Sequence, residues 1–223
     1  MTKIFLDTAN LDEINEILGW GIISGITTNQ KIFSKEKGCD FEKQCKTILE
    51  NVFPYPVSIE APNDFASLIS KAKEYCKWGL NTVIKVPMLG DGSGVRAVNI
   101  LKNFGIKTNV TACMTLNQVF LAKCVSSDYV SLFYNRMVDM KDLDYAITTI
   151  VKAMEVLKSS NTKLIVGSIR KPENIEEILI GSPDIITIPY KILKQMSFCQ
   201  KTEETLKEFE KSWVEFKKYE NKG

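Results

Sequence analysis

Short apolar strands alternate with amphipathic helices along this 223-residue chain, and that alternation restricts its fold more than any other feature. Strand candidates lie at Lys3–Leu6, Gly25–Thr28, Val57–Glu60, Thr82–Val86, Lys107–Val110, Tyr129–Phe133, Lys163–Val166 and Asp184–Ile188. Helical periodicity fills the intervals, at about 11–17, 40–52, 64–78, 94–104, 115–124, 141–158, 173–180 and 190–197. Asn10 with Glu13 resembles a capping box, Asp64 and Thr115 suit helix caps, and Pro172 suits a first helical turn. Eight such units predict an α/β fold, a (β/α)8 barrel over residues 1–200. A doubly wound sheet usually has fewer strands, and the first strand–helix turn here lacks GxGxxG. Residues 201–223 are expected to be a helical extension of the same domain. There Leu206, Phe209, Trp213 and Phe216 form one apolar stripe, expected to pack on the chain's own barrel, with subunit contact as the alternative.

One of these strands contains a residue that a buried strand should exclude. Thr82-Val83-Ile84-Lys85-Val86-Pro87 reads as a fully buried parallel strand with a lysine in it. Burial disfavours the charged ammonium, and a neutral lysine amine in a pocket attacks carbonyls. The alternatives are a lysine that snorkels to water or pairs with a carboxylate.

The chain contains no histidine, which excludes Ser-His-Asp triads, Cys-His dyads and histidine-ligated metals. Proton transfer is left to carboxylates, lysine, tyrosine or water. The six cysteines form no CxxC pair, so reduced thiols in a cytoplasmic protein are expected, with no metal. A net charge of +2 argues against nucleic-acid or membrane-surface partners. No apolar run is long enough to span a bilayer, and Met1-Thr2-Lys3 leads into the first strand without a signal-peptide pattern. No cofactor motif is present, pyridoxal phosphate included, and none is expected.

Chemistry in such a barrel lies at the C-terminal ends of the strands. In chain order those ends carry Asp7; Thr28 and Asn29; Glu60; Lys85; Asn109 and Thr111; Ser131, Phe133 and Arg136; then Ser168 and Arg170. Each alone could be a cap or a turn residue. Delivered to one rim, they offer an amine, two carboxylates, hydroxyl-binding groups and an arginine-rich anion clamp. That set suits a Schiff-base aldolase acting on a sugar phosphate.

With these residues in place, the chain resembles the small bacterial and archaeal transaldolases and their relative fructose-6-phosphate aldolase. The likeness runs from Phe5 to about Trp213 through Phe5-Leu6-Asp7-Thr8-Ala9-Asn10, Gly25-Ile26-Thr27-Thr28-Asn29, Ile84-Lys85-Val86-Pro87-Met88, Thr108-Asn109-Val110-Thr111, Asn135-Arg136 and Ser168-Ile169-Arg170. It implies that Lys85 forms the Schiff base, Asp7 exchanges the proton of the C4 hydroxyl, and Glu60 and Thr111 hold a proton-shuttling water. It further implies that Asn29 and Asn109, beside Thr28, hold the retained three-carbon unit with Ser131 near its terminal hydroxyl, and that Arg136, Ser168 and Arg170 hold the phosphate. Homo-oligomers, pentameric or decameric, are implied as well.

Two positions bear on the subfamily. The aldolases resemble this chain except that they place glutamine at Glu60 and tyrosine at Phe133, so the likeness favours transfer of a dihydroxyacetone unit over its release. Gln30, Leu132, the loop Leu89-Gly90-Asp91-Gly92-Ser93-Gly94 and Ala112-Cys113-Met114 depart from the family pattern without removing a catalytic group. They suggest a divergent branch, with higher-carbon sugar biosynthesis as one alternative role. A non-catalytic sugar-phosphate binder is another.

Overall fold

The computed structural model of the protein describes residues 1–220. Its strands are β1 (Lys3–Asp7), β2 (Ile23–Thr27), β3 (Val57–Glu60), β4 (Thr82–Pro87), β5 (Thr108–Cys113), β6 (Tyr129–Phe133), β7 (Lys163–Gly167) and β8 (Ile185–Ile188). All pair in parallel, in chain order, and β8 returns to β1 to close the barrel. The helices are α1 (Leu11–Leu18), α2 (Gln30–Phe33), α3 (Phe41–Val52), α4 (Phe65–Tyr75), α5 (Ser93–Lys102), α6 (Leu116–Cys124), α7 (Tyr134–Met140), α8 (Leu143–Leu157), α9 (Glu173–Leu179), α10 (Tyr190–Met196) and α11 (Gln200–Glu220). No described helix is long and apolar enough to cross a membrane.

The expected strands and helices are present, with α2 and α7 in addition. Four residues in α2 are too few to display a helical period, and α7 begins directly after β6 without intervening turn residues. Asp64 and Thr115 cap α4 and α6, and Thr115 forms a reciprocal capping box with Gln118. Asn10 caps α1 by accepting from the amides of Asp12 and Glu13. The other half of that expected box is replaced, because Glu13 accepts from the Thr8 hydroxyl instead, at 2.5 Å.

Strand alternation produces two cores. Residues facing outward, such as Leu6, Ile26, Ile84, Val110, Val130 and Val166, pack under the helices. A smaller cluster of Phe5, Ile165 and Ile185, flanked by Tyr129, forms the interior core. Asp7 follows Phe5 on the same face of β1, and Lys85 follows Val83 on β4, so the polar groups stand one step nearer the C-terminal rim. Gly25 makes room for Phe5, since a Cβ there would lie 2.6 Å from the ring.

α11 departs from the expected packing. None of its residues is buried, and Leu206, Phe209, Trp213 and Phe216 are each more than half exposed. This helix of 21 residues begins after the barrel has closed, and no described part of the chain covers its apolar stripe. Of the expected 201–223 extension, residues 221–223 lie outside those described.

Gly25→Ala should destabilise the protein by about 1–3 kcal/mol, because the interior cannot absorb the added carbon without moving Phe5. Denaturant unfolding checks this, and adding Phe5→Leu should recover part of the loss.

Candidate active site

Barrel register brings the reactive groups together. Asp7 on β1 pairs with Thr27 on β2, Glu60 on β3 with Lys85 on β4, and Lys85 in turn with Asn109 on β5. Asp7, Thr27, Glu60 and Lys85 border a cavity of about 490 Å³ at the C-terminal mouth of the barrel, large enough for a small metabolite. Asp7, Asn29, Glu60, Lys85, Thr111, Ser131, Phe133, Arg136, Ser168 and Arg170 line it.

Lys85 is only 4% exposed. Its ammonium donates to the Thr28 carbonyl at 2.9 Å and lies 3.7 Å from Glu60 Oε2. The lysine therefore neither snorkels to water nor stands unpartnered. Burial raises the Glu60 pKa above its usual range, and the neighbouring Lys85 opposes that rise. Asp7 is shifted the same way for the same leading reason, with Lys85, the Thr27 hydroxyl and Lys35 opposing. Burial thus favours the neutral form of both carboxyl groups, which stand near one amine.

Thr27 donates to Asp7 Oδ1 at 2.6 Å, and Thr187 on β8 reaches the same Thr27 hydroxyl across β1. One hydroxyl has one proton, so Thr187 must be the donor to Thr27. Gly167 leaves the space for Thr187, whose methyl would lie 2.9 Å from a Cβ at that position. The Thr111 hydroxyl, by contrast, is buried and has no hydrogen-bond partner among the described residues.

Two of the expected binding residues, Thr28 and Asn109, are not among those lining the cavity. Thr28 is fully buried, with its hydroxyl donating to the Ser58 carbonyl at 2.8 Å. Asn109 is also fully buried; it accepts from Ser131 at 2.7 Å and donates to the Ser58 hydroxyl at 3.3 Å. The Thr28 carbonyl thus accepts from Lys85, and the Asn109 side chain from Ser131. Asn29 lines the cavity and also caps α2 through the Ile32 amide. Arg170 lines it too, but its guanidinium grips Asp139 in a bidentate pair, with Nη1 to Oδ1 at 2.8 Å. Both partners are half exposed, so water screens this pair and the guanidinium faces solvent at the cavity rim.

Thr27, Thr187, Lys35 and Asp139 were not among the expected site residues. Alternation could have found the first, since Gly25, Thr27 and Asn29 share a face that Thr28 does not. Asp139 carries no local signal, because its partner is 31 residues away.

Comparison with known proteins agrees with this geometry. Residues 4–222 match the family model described as transaldolase/fructose-6-phosphate aldolase. The chain belongs to that family. A probable transaldolase of Petrotoga mobilis is 35% identical over 221 residues, covering 97% of each chain. Probable transaldolases of a Thermoanaerobacter species and of Carboxydothermus hydrogenoformans are 37% and 35% identical, over 95% and 97% of this chain and 96% and 100% of theirs. The protein is an enzyme of the transaldolase type, on a TIM barrel.

The raised Asp7 pKa has a consequence for stability. The folded state holds this proton more tightly than the unfolded chain, so ionising Asp7 costs stability as pH rises through its folded pKa. Asp7→Asn should therefore be more stable than wild type at pH 8. The advantage should shrink as pH falls and vanish below the ordinary value of 3.8, measured by thermal unfolding across pH.

Proposed function

We propose that the enzyme is a transaldolase that moves a dihydroxyacetone unit from a ketose phosphate to an aldose phosphate through a Schiff base on Lys85. Sedoheptulose 7-phosphate or fructose 6-phosphate is the donor, and glyceraldehyde 3-phosphate or erythrose 4-phosphate the acceptor. The observation that carries this reading is the buried amine of Lys85 beside Glu60, on the wall of a cavity that also holds Asp7 and two arginines.

Glu60 accepts a proton from the Lys85 ammonium, and the freed amine adds to the donor's C2 carbonyl. Loss of water from the carbinolamine leaves an iminium, which draws electrons from the C3–C4 bond. Asp7 takes the C4 hydroxyl proton as that bond breaks, releasing an aldose phosphate and leaving an enamine on Lys85. The enamine carbon then attacks the acceptor aldehyde, Asp7 returns its proton to the new C4 oxygen, and water hydrolyses the iminium. The unpaired Thr111 hydroxyl and Glu60 are suited to hold that water. Arg136, Ser168 and Arg170 take the phosphate, with Asp139 releasing Arg170 to do so. Ser131 and Asn29 meet the hydroxyls of the three-carbon unit.

Phe133 favours transfer over release. It lines the cavity without a hydroxyl that could protonate the enamine and free dihydroxyacetone. The enzyme is further read as a cytoplasmic homo-oligomer, pentameric or decameric, acting on small sugar phosphates without a cofactor. The uncovered apolar stripe of α11 and six unpaired cysteines support the assembly and the compartment respectively. Light scattering during size-exclusion chromatography tests the assembly, which a monomer at working concentration would refute.

Borohydride added with fructose 6-phosphate should fix a three-carbon adduct on Lys85, identified by peptide mass. Lys85→Met should abolish turnover while phosphate ligands still bind. Absence of any adduct with a panel of ketose phosphates would sink the reading. Phe133→Tyr should raise free dihydroxyacetone release relative to transfer by about tenfold or more, since a positioned general acid contributes at least that much. A coupled assay recording both products checks this.

A further inference from the structure

The two halves of the anion clamp come from different parts of the barrel. Arg136 stands in α7, directly after β6, whereas Ser168 and Arg170 follow β7. Their separation must match a phosphate group, and the one charged tie between them among the described residues is the pair of Arg170 with Asp139, which stands in α7 three residues after Arg136. That pair is half exposed and screened by water, so a buried tie is better placed to set the distance.

A buried polar network lies beneath the clamp and joins its halves. Asn174, 3% exposed in α9, accepts through Oδ1 from the Asn135 side chain at 2.8 Å and from the backbone amides of Arg170 at 3.2 Å and Lys171 at 3.3 Å. Only an oxygen can accept from backbone amides, so the orientation of this side-chain amide is determined. Its nitrogen therefore donates to Glu177 Oε2 at 2.9 Å, which also accepts from the buried Tyr134 hydroxyl at 2.6 Å. Asn135, adjacent to Arg136, donates to the Ser168 carbonyl at 2.8 Å. Ser168 itself sits at φ 64°, a backbone conformation a serine keeps only where its surroundings impose it.

We propose that Asn174 is a positioning residue for phosphate recognition: by holding Asn135 on one side and the Arg170 backbone on the other, it sets the spacing of the clamp and so the preference for phosphorylated donors. This rests on the reading that Arg136, Ser168 and Arg170 bind the phosphate. The network reaches the clamp backbone and none of Lys85, Glu60 or Asp7, so its influence falls on donor binding and not on the bond-making steps.

The test compares fructose 6-phosphate with fructose as donors, each with unphosphorylated glyceraldehyde as acceptor, and measures competitive inhibition by inorganic phosphate. Asn174→Ala should raise KM for fructose 6-phosphate about tenfold and weaken phosphate inhibition in parallel, the worth of one well-made hydrogen bond to the clamp. Its kcat, and kcat/KM for fructose, should stay within about twofold of wild type. The double variant Asn174→Asp with Glu177→Gln keeps the accepting oxygen and reverses the donor–acceptor pair beside it, so it should restore wild-type discrimination. Asn174→Ser replaces Asn174→Ala if the latter does not fold. Equal losses with both donors, an unchanged KM for fructose 6-phosphate, or failure of the double variant to restore discrimination would overturn the proposal. A wild-type enzyme indifferent to the donor phosphate and uninhibited by inorganic phosphate would overturn the clamp reading itself.

Discussion

Backbone pairing between β1 and β8 closes the sheet, and that closure turns eight separate strand ends into one ring. Without it, Asp7 on the first strand and Thr187 on the last would lie at opposite edges of an open sheet. With it, Thr187 reaches over β1 to Thr27, and Thr27 holds the Asp7 carboxylate. The same closure places Phe5, Ile165 and Ile185 together as a solid interior floor. The cavity is therefore a mouth above a packed core and not a channel through the barrel.

Placing charge above that floor is electrostatically costly, and the residues present limit how the cost is met. Burial pushes Asp7 and Glu60 toward their neutral forms, while the Lys85 ammonium favours their ionised ones. The balance leaves carboxyl groups able to gain or lose a proton in a chain that has no histidine for the purpose. Farther out, Arg170 and Asp139 form the opposite kind of pair, exposed and exchangeable. The cavity thus grades from a desolvated centre around Lys85 to a solvated, charged rim.

Much of the barrel was legible because its signals are local. Lys85 stood out in an apolar run, and Asp7, Glu60 and Thr111 could be placed by counting to strand ends. The family motifs joined them. Thr28 and Asn109 stand at strand ends and in the family motifs, yet neither lines the cavity: the Thr28 hydroxyl meets a backbone carbonyl, and Asn109 is buried against Ser131 and Ser58. The α11 stripe was readable as apolar, but its periodicity could not say what would face it, and no residue of the helix is buried.

The sequence alone determined the eight-unit repeat, the lysine within an apolar strand and the absence of histidine chemistry, since hydrophobic period, residue type and composition are properties of the chain itself. Tertiary structure alone decided that Glu60 stands beside Lys85, that Thr187 meets Thr27 beside Asp7, and that Asn174 joins Asn135 to the backbone of Arg170. Those relations depend on strand register, barrel closure and side-chain direction. Each is set by packing between segments far apart in sequence, which no local pattern encodes.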